Sequence, residues 1–406
     1  MIIKIRQFLS IIHLFIVFCF SDEISTILIS FDGMRYDYLE KTRTPNFDEI
    51  IKGGVKAKSL IPIFPSLTFP NHYAIATGTY AGKHHITGNH YFSKIHNERY
   101  SMYDSETVKN PKFYKGEPIW VTAEKQGLKT ASYFWVGSEA PIKGIYPTIY
   151  KNYDGKVSFE SRVDSVLSWL QLSKKNRPKL VMLYFSEPDK SGHIYGPNSD
   201  EVINAIQLSD QILGRIISGL IKNNIKANIV IVSDHGMREI SKNRVVILDD
   251  YYSDIKYLKV YGGGPLLQID SPNSDILKFL YKIPNISVYK KKNIPNRYQF
   301  VNENSGDYLV VANPGWLVFD NKLFNETSML DIKGMHGWDP LDKEMHGIFI
   351  ANGPLIKKNV IISSFENIYI YGLISQLIGV APYSSRFHDD GAIINQEIIN
   401  NIISNN

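Results

Sequence analysis

Three short runs of β-branched and other apolar residues, each followed by an acidic residue, constrain the fold of this chain most. The runs are STILIS, LVMLYF and NIVIVS, at residues 25–30, 180–185 and 228–233. Continuous apolar runs without alternation are typical of strands that are buried on both faces of a parallel sheet. Asp32, Asp189 and Asp234 stand just beyond them. Because the carboxyl ends of parallel strands meet at one edge, we expect these carboxylates to converge.

Helical patterns lie between these runs. Residues 200–221 carry apolar side chains at helical spacing, and Ser199 stands where an N-cap is expected. A second candidate helix covers residues 159–172. Strands that alternate with helices indicate an α/β fold, with a mostly parallel central sheet and helices on both faces. Residues 240–330 are less regular, and we interpret them as a sub-region that returns the chain to the site, not as an independent domain.

The first 21 residues have the pattern of a cleaved signal peptide. Lys4 and Arg6 precede a short apolar run, whereas a bilayer needs roughly 20 such residues. Small residues, Cys19 and Ser21, precede Asp22 at the positions that signal peptidase favours. We expect residues 1–21 to be removed, and residues 22–406 to form a single catalytic domain without a stable membrane anchor, either secreted or retained in the secretory pathway. An uncleaved anchor is the alternative.

Composition narrows the function classes. The chain has 406 residues and a net charge of +5 without a long basic block, so bulk nucleic-acid binding is not expected. Its only cysteine, Cys19, lies in the predicted signal segment. A mature chain without thiols has neither a disulfide nor a thiolate ligand, so its stability must come from core burial and any bound metal.

Carboxylate and imidazole side chains cluster after the predicted strands and in one glycine-rich segment. They are Asp32, Asp189, His193, Asp234, His235 and His336. His336 stands between glycines, where little side-chain bulk hinders close approach. Divided into two sets of three, these groups suit two divalent metals with open positions, and Asp/His ligation without thiolate fits Zn²⁺ best and Mn²⁺ or Fe less well. Each group alone is more often a turn or loop residue, so the prediction depends on their joint occurrence.

The segment PSLTFPNHY at residues 65–73 adds a hydroxyl to this constellation. Pro70 fits the first turn of a helix, which places Thr68 just ahead of the helix N-terminus. The dipole and the free amides there favour an anion. Because metal coordination can activate a threonine hydroxyl, we interpret Thr68 as a nucleophile. An ordinary helix N-cap is the alternative.

Nine sequence motifs occur in a fixed order along the chain. They are FDGMR (31–35), TFPNH (68–72), GEPIW (116–120), FW with GSE (134–139), EPD (187–189), GH (192–193), GP (196–197), SDHGM (233–237) and GMHG (334–337). In these motifs the chain resembles the nucleotide pyrophosphatase/phosphodiesterase family of the alkaline phosphatase superfamily. The resemblance implies an alkaline-phosphatase-like fold. It also implies zinc-dependent hydrolysis of phosphodiester or pyrophosphate bonds in nucleotides, through a phospho-threonine intermediate that releases nucleoside 5′-monophosphate.

The same resemblance implies a role for each site residue. Two Zn²⁺ ions are expected, one held by Asp189, His193 and His336 and the other by Asp32, Asp234 and His235, with Thr68 bridging to the reaction. Asn89 matches an asparagine that hydrogen-bonds the phosphate. Phe69 and Tyr153 match an aromatic pair that sandwiches a nucleobase, and Tyr184 matches a further pocket tyrosine. The expected partner is a small nucleotide or phosphodiester; the sequence does not address the oligomeric state.

Three other reactions use related chemistry, and a binding protein can share the same fold. A phosphomonoesterase commonly adds an arginine or a third metal, and no arginine stands beside Thr68 in the sequence. A sulfatase needs a Cys/Ser-x-Pro-x-Arg motif, which is missing. Hydrolysis of choline phosphodiesters or lysophospholipids stays open, because aromatic pockets also bind quaternary ammonium groups. An inactive extracellular binding protein of the same fold stays open as well. Among the remaining conspicuous histidines, His72 is interpreted as a residue that packs or bonds locally, His84 and His85 as loop residues and His346 as a core residue; His90 is given no role.

Overall fold

An eight-stranded sheet lies at the centre of the protein. The computed structural model describes residues 24–326 and 331–404, so the predicted signal segment lies outside the described residues. In chain order the strands are β1 (Ser25–Phe31), β2 (Val55–Ala57), β3 (Thr130–Tyr133), β4 (Ile149–Lys151), β5 (Leu180–Phe185), β6 (Ala227–Val232), β7 (Phe349–Asn352) and β8 (Val360–Ile362). Their order across the sheet is β8-β2-β7-β6-β1-β5-β3-β4.

The sheet is mostly parallel, as the sequence predicts. β1 pairs in parallel with β5 and β6, β3 with β4 and β5, and β2 with β8. Of the eight strands only β7 runs antiparallel to its neighbours, β6 and β2. The register pairs Phe31 with Phe185 and Ser30 with Val232. The carboxyl ends of β1, β5 and β6 therefore lie together at one edge.

Helices cover both faces of this sheet. All of β1 is buried, and its successive side chains enter two different cores: Ile27 and Ile29 enter one, and Leu28 enters the other. The first core is covered by the helices Pro45–Lys52, Phe159–Leu170 and Asp200–Lys222. The second core is covered by the helices Thr68–Thr77, Ile119–Lys125, Ile370–Ile378 and Gln396–Ile402. This arrangement explains why the strand sequences are apolar without alternation.

Both helices predicted from periodicity are present. The helix predicted over residues 200–221 spans Asp200–Lys222, and Ser199 caps it by accepting the N–H of Val202. The helix predicted over residues 159–172 spans Phe159–Leu170. It ends earlier than expected because Gln171 and the residue after it are exposed and add nothing to the apolar face.

Residues 240–330 contain a smaller antiparallel sheet with its own core. Its strands, in spatial order, are Lys259–Gly262, Leu266–Asp270, Tyr308–Ala312 and Ile286–Lys290. Leu267, Ile269 and Val310 pack in its core. The chain then returns to the edge of the main sheet, where Gly334–Met335 pairs with Arg238–Glu239.

Short elements connect these parts. They are the helices Ala81–His84, Ser105–Val108, Asp189–Tyr195, Leu277–Leu280 and Asn321–Glu326, the hairpin His90–Ser93/Glu98–Ser101, and the parallel strand pairs Leu60–Ile61/Phe365–Glu366 and Val245–Ile247/Leu317–Phe319. Within residues 24–326 and 331–404, no helix combines the length and the apolarity that crossing a bilayer requires.

Candidate active site

The predicted acidic residues meet at the carboxyl ends of the three central strands. Asp32 directly follows β1, Asp234 lies just beyond β6, and Asp189 begins the helix Asp189–Tyr195 behind β5. The exposed fractions of Asp32 and Asp234 are only 2% and 1%. The backbone N–H of Asp189 donates to the carbonyl of Asp32 at 2.9 Å. The expected convergence of the three strand ends is therefore present.

Backbone carbonyls orient the three predicted imidazole ligands. Each ring has Nδ1 at hydrogen-bond distance from a carbonyl oxygen: 2.8 Å from Gly334 for His193, 2.9 Å from Gly236 for His235 and 2.8 Å from Ser66 for His336. A carbonyl only accepts hydrogen bonds, so Nδ1 carries the proton and a neutral ring presents a lone pair at Nε2. Metal-binding histidines are oriented by outer partners in this way.

Asp189, His193 and His336 form one compact group of ligand-type atoms. His193 Nε2 and His336 Nε2 lie 3.4 and 3.6 Å from Asp189 Oδ1. The two Nε2 atoms are 3.1 Å apart, although both present lone pairs. Ligand atoms at tetrahedral Zn²⁺ are about 3.3 Å from one another, given the usual bond lengths. The spacing therefore fits a cation between the three side chains.

A second group adjoins the first and contains His235, Asp32 and Asp234. His235 Nε2 lies 3.4 Å from Asp32 Oδ1 and 3.0 Å from Asp234 Oδ2. All ligand atoms of this group lie within 4.8 Å of one another. The same distance also links His235 to Asp189 and His336, and the His235 and His336 rings stack with centroids 3.4 Å apart. His235 thus lies between the two groups.

The charges and lone pairs at the site are not balanced by the protein alone. Asp32 Oδ1, Asp189 Oδ1 and Asp234 Oδ2 are buried and accept no hydrogen bond from the described residues. Burial, with the negative charges of Asp234 and Asp189, raises the pKa of Asp32 well above its usual value. Burial also holds the pKa of His336 well below its usual value, so this ring is neutral. Three converging carboxylates, with a neutral His336 ring beside them, need a positive charge and fit a divalent metal site.

The sequence predicts that Thr68 lies just ahead of a helix. In the structure Thr68 is instead the first residue of the helix Thr68–Thr77. Leu67 is the N-cap, which leaves Pro70 inside the first turn. A proline fits there because the first N–H groups of a helix have no partner within the helix. The Thr68 side chain is 7% exposed, and its Oγ1 lies 3.2 Å from His235 Nε2. The alternative of an ordinary N-cap is therefore wrong.

The Asn89 side chain is hydrogen-bonded to the first turn of the same helix. Its Oδ1 accepts the backbone N–H of Phe69 at 2.9 Å. This contact fixes the amide oxygen and turns the –NH₂ group to the opposite side. An amide donor beside the N-terminus of the Thr68 helix is what the predicted phosphate contact requires.

The predicted aromatic residues fall into two clusters. Phe69 packs against Tyr100, with ring centroids 6.2 Å apart. Tyr153 is 55% exposed and packs against Phe134 and Tyr184, at 5.1 and 6.5 Å. Among the described rings, none of the contacts joins Phe69 to Tyr153. The two rings of the predicted pair are therefore not in direct contact. Two rings that enclose a nucleobase must be separated in this way, because the base lies between them.

Tyr184 contacts the candidate metal site directly, which the sequence did not predict. Its hydroxyl donates to Asp32 Oδ2 at 2.6 Å. Burial, followed by the charge of Asp32, raises the pKa of Tyr184 well above its usual value, so the hydroxyl keeps its proton. Tyr184 therefore orients a ligand-type carboxylate in addition to lining the predicted pocket.

Removing this hydroxyl is expected to weaken metal binding. We expect Tyr184→Phe to lower zinc affinity by about tenfold, the effect typical of outer partners of metal ligands. Competition with a chromogenic chelator measures it. Tyr91→Phe is the matched control, because the buried Tyr91 hydroxyl has no hydrogen-bond partner to lose. Equal losses in both variants would show general packing damage and contradict the role of Tyr184.

His72, interpreted from the sequence as a packing residue, also contacts the site. It is fully buried, with Nδ1 3.0 Å from the Thr68 carbonyl and 3.3 Å from Asp234 Oδ2, and Nε2 2.8 Å from Ser30 Oγ. Burial alone would raise the pKa of Asp234, but His235 and His72 hold it well below its usual value. The spacing of His72 one helical turn after Thr68 is the signal that could have located it.

Ser66 joins the Thr68 segment to the His336 segment. Its carbonyl faces His336 Nδ1, its hydroxyl donates to the carbonyl of Trp338 at 2.7 Å, and that hydroxyl accepts the N–H of Gly337 at 3.1 Å. No local pattern in the sequence singles out Ser66. Its contacts are nevertheless those that fix the ring of His336.

The glycines beside His336 permit the close approach that the sequence predicts. A Cβ at Gly334 would lie 2.3 Å from the carbonyl oxygen of Gly192, which is closer than atoms can approach. Gly337 has φ +126°, a conformation that other residues rarely adopt. Both positions therefore require glycine.

Comparison with known proteins identifies the family. The sequence profile described as "Type I phosphodiesterase / nucleotide pyrophosphatase" matches residues 26–339, which include every candidate site residue. The chain belongs to this family.

Two curated relatives are longer than this chain. It is 37% identical over 372 residues to venom phosphodiesterase CdcPDE of Crotalus durissus collilineatus, covering 88% of this chain and 44% of that protein. It is 38% identical over 374 residues to human ectonucleotide pyrophosphatase/phosphodiesterase family member 1, covering 88% of this chain and 40% of that protein. The chain thus spans less than half the length of these relatives.

A solved structure of the family has the same fold. Murine ectonucleotide pyrophosphatase/phosphodiesterase 5, in an inactive form with a threonine-to-alanine substitution and in complex with AMP, superposes with a TM-score of 0.85. The two proteins are 32% identical, and the match covers 94% of this chain and 100% of that one. The predicted alkaline-phosphatase-like α/β fold is therefore confirmed.

Proposed function

We propose that this family member hydrolyses phosphodiester or pyrophosphate bonds in nucleotides, with Thr68 as the nucleophile and two Zn²⁺ ions as cofactors. The proposal depends mainly on one observation. The Thr68 hydroxyl lies 3.2 Å from His235 Nε2, at the junction of the two groups of ligand-type side chains. The solved relative that binds AMP is inactive with a threonine-to-alanine substitution, which supports both the nucleophile and the nucleotide.

Each group of ligand-type side chains would hold one metal ion. Asp189, His193 and His336 would hold the first, and Asp32, Asp234 and His235 the second. When bound, such ions lower the pKa of a hydroxyl or a water molecule and offset the negative charge of the phosphate. A donor set of carboxylates and imidazoles without thiolate favours zinc.

The protein groups divide the work of the reaction among them. Thr68 Oγ1 loses its proton and forms a bond to phosphorus, while the bond to the leaving alkoxide or phosphate breaks and that group takes up a proton. The product is 5′-nucleotidyl-Thr68, in which the nucleoside stays on phosphorus. Water then cleaves the bond between phosphorus and Thr68 Oγ1, releases nucleoside 5′-monophosphate and restores the hydroxyl. The backbone N–H of Thr68 and the –NH₂ of Asn89 would stabilise the charge on the phosphoryl oxygens.

The aromatic residues support a substrate that carries a ring. The exposed Tyr153 ring is contiguous with Tyr184, whose hydroxyl contacts Asp32. A nucleobase on Tyr153, enclosed from the other side by Phe69, would place its phosphate close to Thr68. The same rings suit a choline headgroup, which is the second candidate.

A panel of esters distinguishes these substrates. For the purified zinc-loaded protein, we expect kcat/KM for thymidine 5′-monophosphate p-nitrophenyl ester to exceed that for p-nitrophenyl phosphate by about a hundredfold or more. A preference for p-nitrophenylphosphocholine would contradict the nucleotide assignment but would still agree with phosphodiester hydrolysis. A zinc-loaded protein that hydrolyses none of the three would instead be a binding protein of this fold.

We also propose that residues 22–406 act as a single catalytic domain that is exported after residues 1–21 are removed. The relatives include a venom enzyme and a human ectoenzyme, which supports passage through the secretory pathway.

A further inference from the structure

Arg162 is a buried cation held without a carboxylate partner among the described residues. It lies in the helix Phe159–Leu170 and is 1% exposed. Its guanidinium lies 4.9 Å from the ring centroids of both Phe134 and Phe159. Buried arginines are rare and require compensating contacts. Those contacts point to the substrate pocket.

Arg162 joins the two segments that carry the pocket tyrosines. Nη1 donates to the carbonyl of Tyr184 at 2.9 Å, at the end of β5. Nε and Nη2 donate to the carbonyl of Val157 at 3.3 and 3.1 Å, within the irregular segment 152–158 that contains Tyr153. A guanidinium is planar and rigid, so a single side chain fixes both segments relative to each other.

Arg162 also acts on Tyr153 through Phe134. Phe134 follows β3 with a φ of 71°, a left-handed conformation that is unusual for an aromatic residue. It contacts the Arg162 guanidinium at 4.9 Å and the Tyr153 ring at 5.1 Å. Strain of this kind persists only where the surrounding contacts enforce it. The cation–π contact with Arg162 is one such contact.

We propose that Arg162 is a positioning residue for recognition of the substrate's ring. It holds Tyr153 and Tyr184 in the geometry that accepts a planar group beside Asp32, without touching the substrate itself. This inference rests on the proposed nucleotide diesterase function. Arg162 therefore favours nucleoside esters over esters that lack a nucleobase.

Two esters with the same leaving group test this role. Thymidine 5′-monophosphate p-nitrophenyl ester carries a base, and methyl p-nitrophenyl phosphate does not, so the ratio of their kcat/KM values reports ring recognition. For Arg162→Met we expect this ratio to fall about tenfold, mainly through a higher KM for the nucleoside ester. Arg162→Lys keeps the positive charge but loses the planar guanidinium, so it should lower the ratio by less than Arg162→Met does. The lysine variant replaces the methionine variant in this test if the latter does not fold.

A double-mutant cycle separates positioning from general packing. Tyr153→Ala should lower the same ratio, and Arg162→Met should lower it by less in the Tyr153→Ala background than in the wild type, because part of the Arg162 effect acts through Tyr153. Arg215→Met, which removes an exposed arginine paired with Asp164, should keep the wild-type ratio. Equal losses on both esters, or additive effects in the cycle, would overturn the positioning role.

Failure of the proposed function gives a different result. The wild-type protein would then hydrolyse neither ester. In that event, calorimetric affinities for thymidine 5′-monophosphate and for inorganic phosphate provide the same comparison from binding alone. An Arg162→Met variant with unaltered preference between these two ligands would contradict the inference.

Discussion

Replacing Thr68 by alanine is expected to lower kcat for a nucleotide diester by at least about a thousandfold, while the protein keeps its fold and its metals. The Thr68 hydroxyl makes no capping hydrogen bond, so its removal costs the helix little. It lies 3.2 Å from His235 Nε2, beside both ligand groups. Losing it removes the nucleophile and leaves the metals and the helix N-terminus in place. Steady-state kinetics with parallel zinc analysis measures the effect.

Two variants control for the position and for the methyl group of Thr68. Thr68→Ser keeps a hydroxyl and should stay within about tenfold of the wild type. Thr77→Ala removes a buried hydroxyl at the other end of the same helix, where it donates to the Tyr73 carbonyl at 2.8 Å, and should keep kcat. Acid quenching and mass spectrometry should detect 5′-nucleotidyl-Thr68 in the wild type. Near-normal turnover of a zinc-loaded Thr68→Ala variant would refute the assignment.

The second large effect is expected at His336. We expect His336→Gln to lose about one equivalent of zinc and to lower activity by more than about a hundredfold. This loss exceeds the effect typical of residues that only orient a metal ligand. The reason is its place between His193 Nε2, at 3.1 Å, and Asp189 Oδ1, at 3.6 Å. Chelation should inactivate the wild type in the same way, and added Zn²⁺ should restore the wild type but not the variant.

His346→Gln is the matched control for this substitution. Both nitrogens of His346 are engaged away from the site, with Nδ1 2.8 Å from Ser59 Oγ and Nε2 2.8 Å from the Pro340 carbonyl. This variant should keep its zinc and its activity. Chelated wild-type protein should also melt several degrees lower, because the buried carboxylates of Asp32 and Asp234 lose their compensating charge. An unchanged melting temperature and full activity without zinc would contradict the metal assignment.

The parallel strands could be predicted from the sequence because full burial leaves a visible pattern. β1, β5 and β6 are continuous apolar runs, and the parallel register then places Asp32 and Asp234 at one edge without further information. β7 could not be predicted in this way. It is the four-residue segment Phe349–Asn352, too short for any period to reveal its position or its antiparallel direction.

Most of the contacts that orient the ligand-type side chains could not be predicted from the sequence. The hydroxyl of Ser66 bonds to the carbonyl of Trp338, which is 272 residues away in the chain. Tyr184 and Asp32 are separated by 152 residues. Such pairs are created by the packing of loops at the sheet edge, and local periodicity carries no information about them. The sequence could therefore predict which side chains are present, but not their hydrogen-bond partners.

The position of His336 after residues 240–330 bears on when the protein can acquire its metals. A growing chain that has formed β1, β5 and β6 already contains Asp32, Asp234 and His235, and can assemble that group. The other group stays incomplete until residue 336 has been synthesised and the smaller sheet has returned the chain to the edge. On the proposed ligand assignment, the residues of the two groups are therefore completed in a set order along the chain, with the group that contains His336 second.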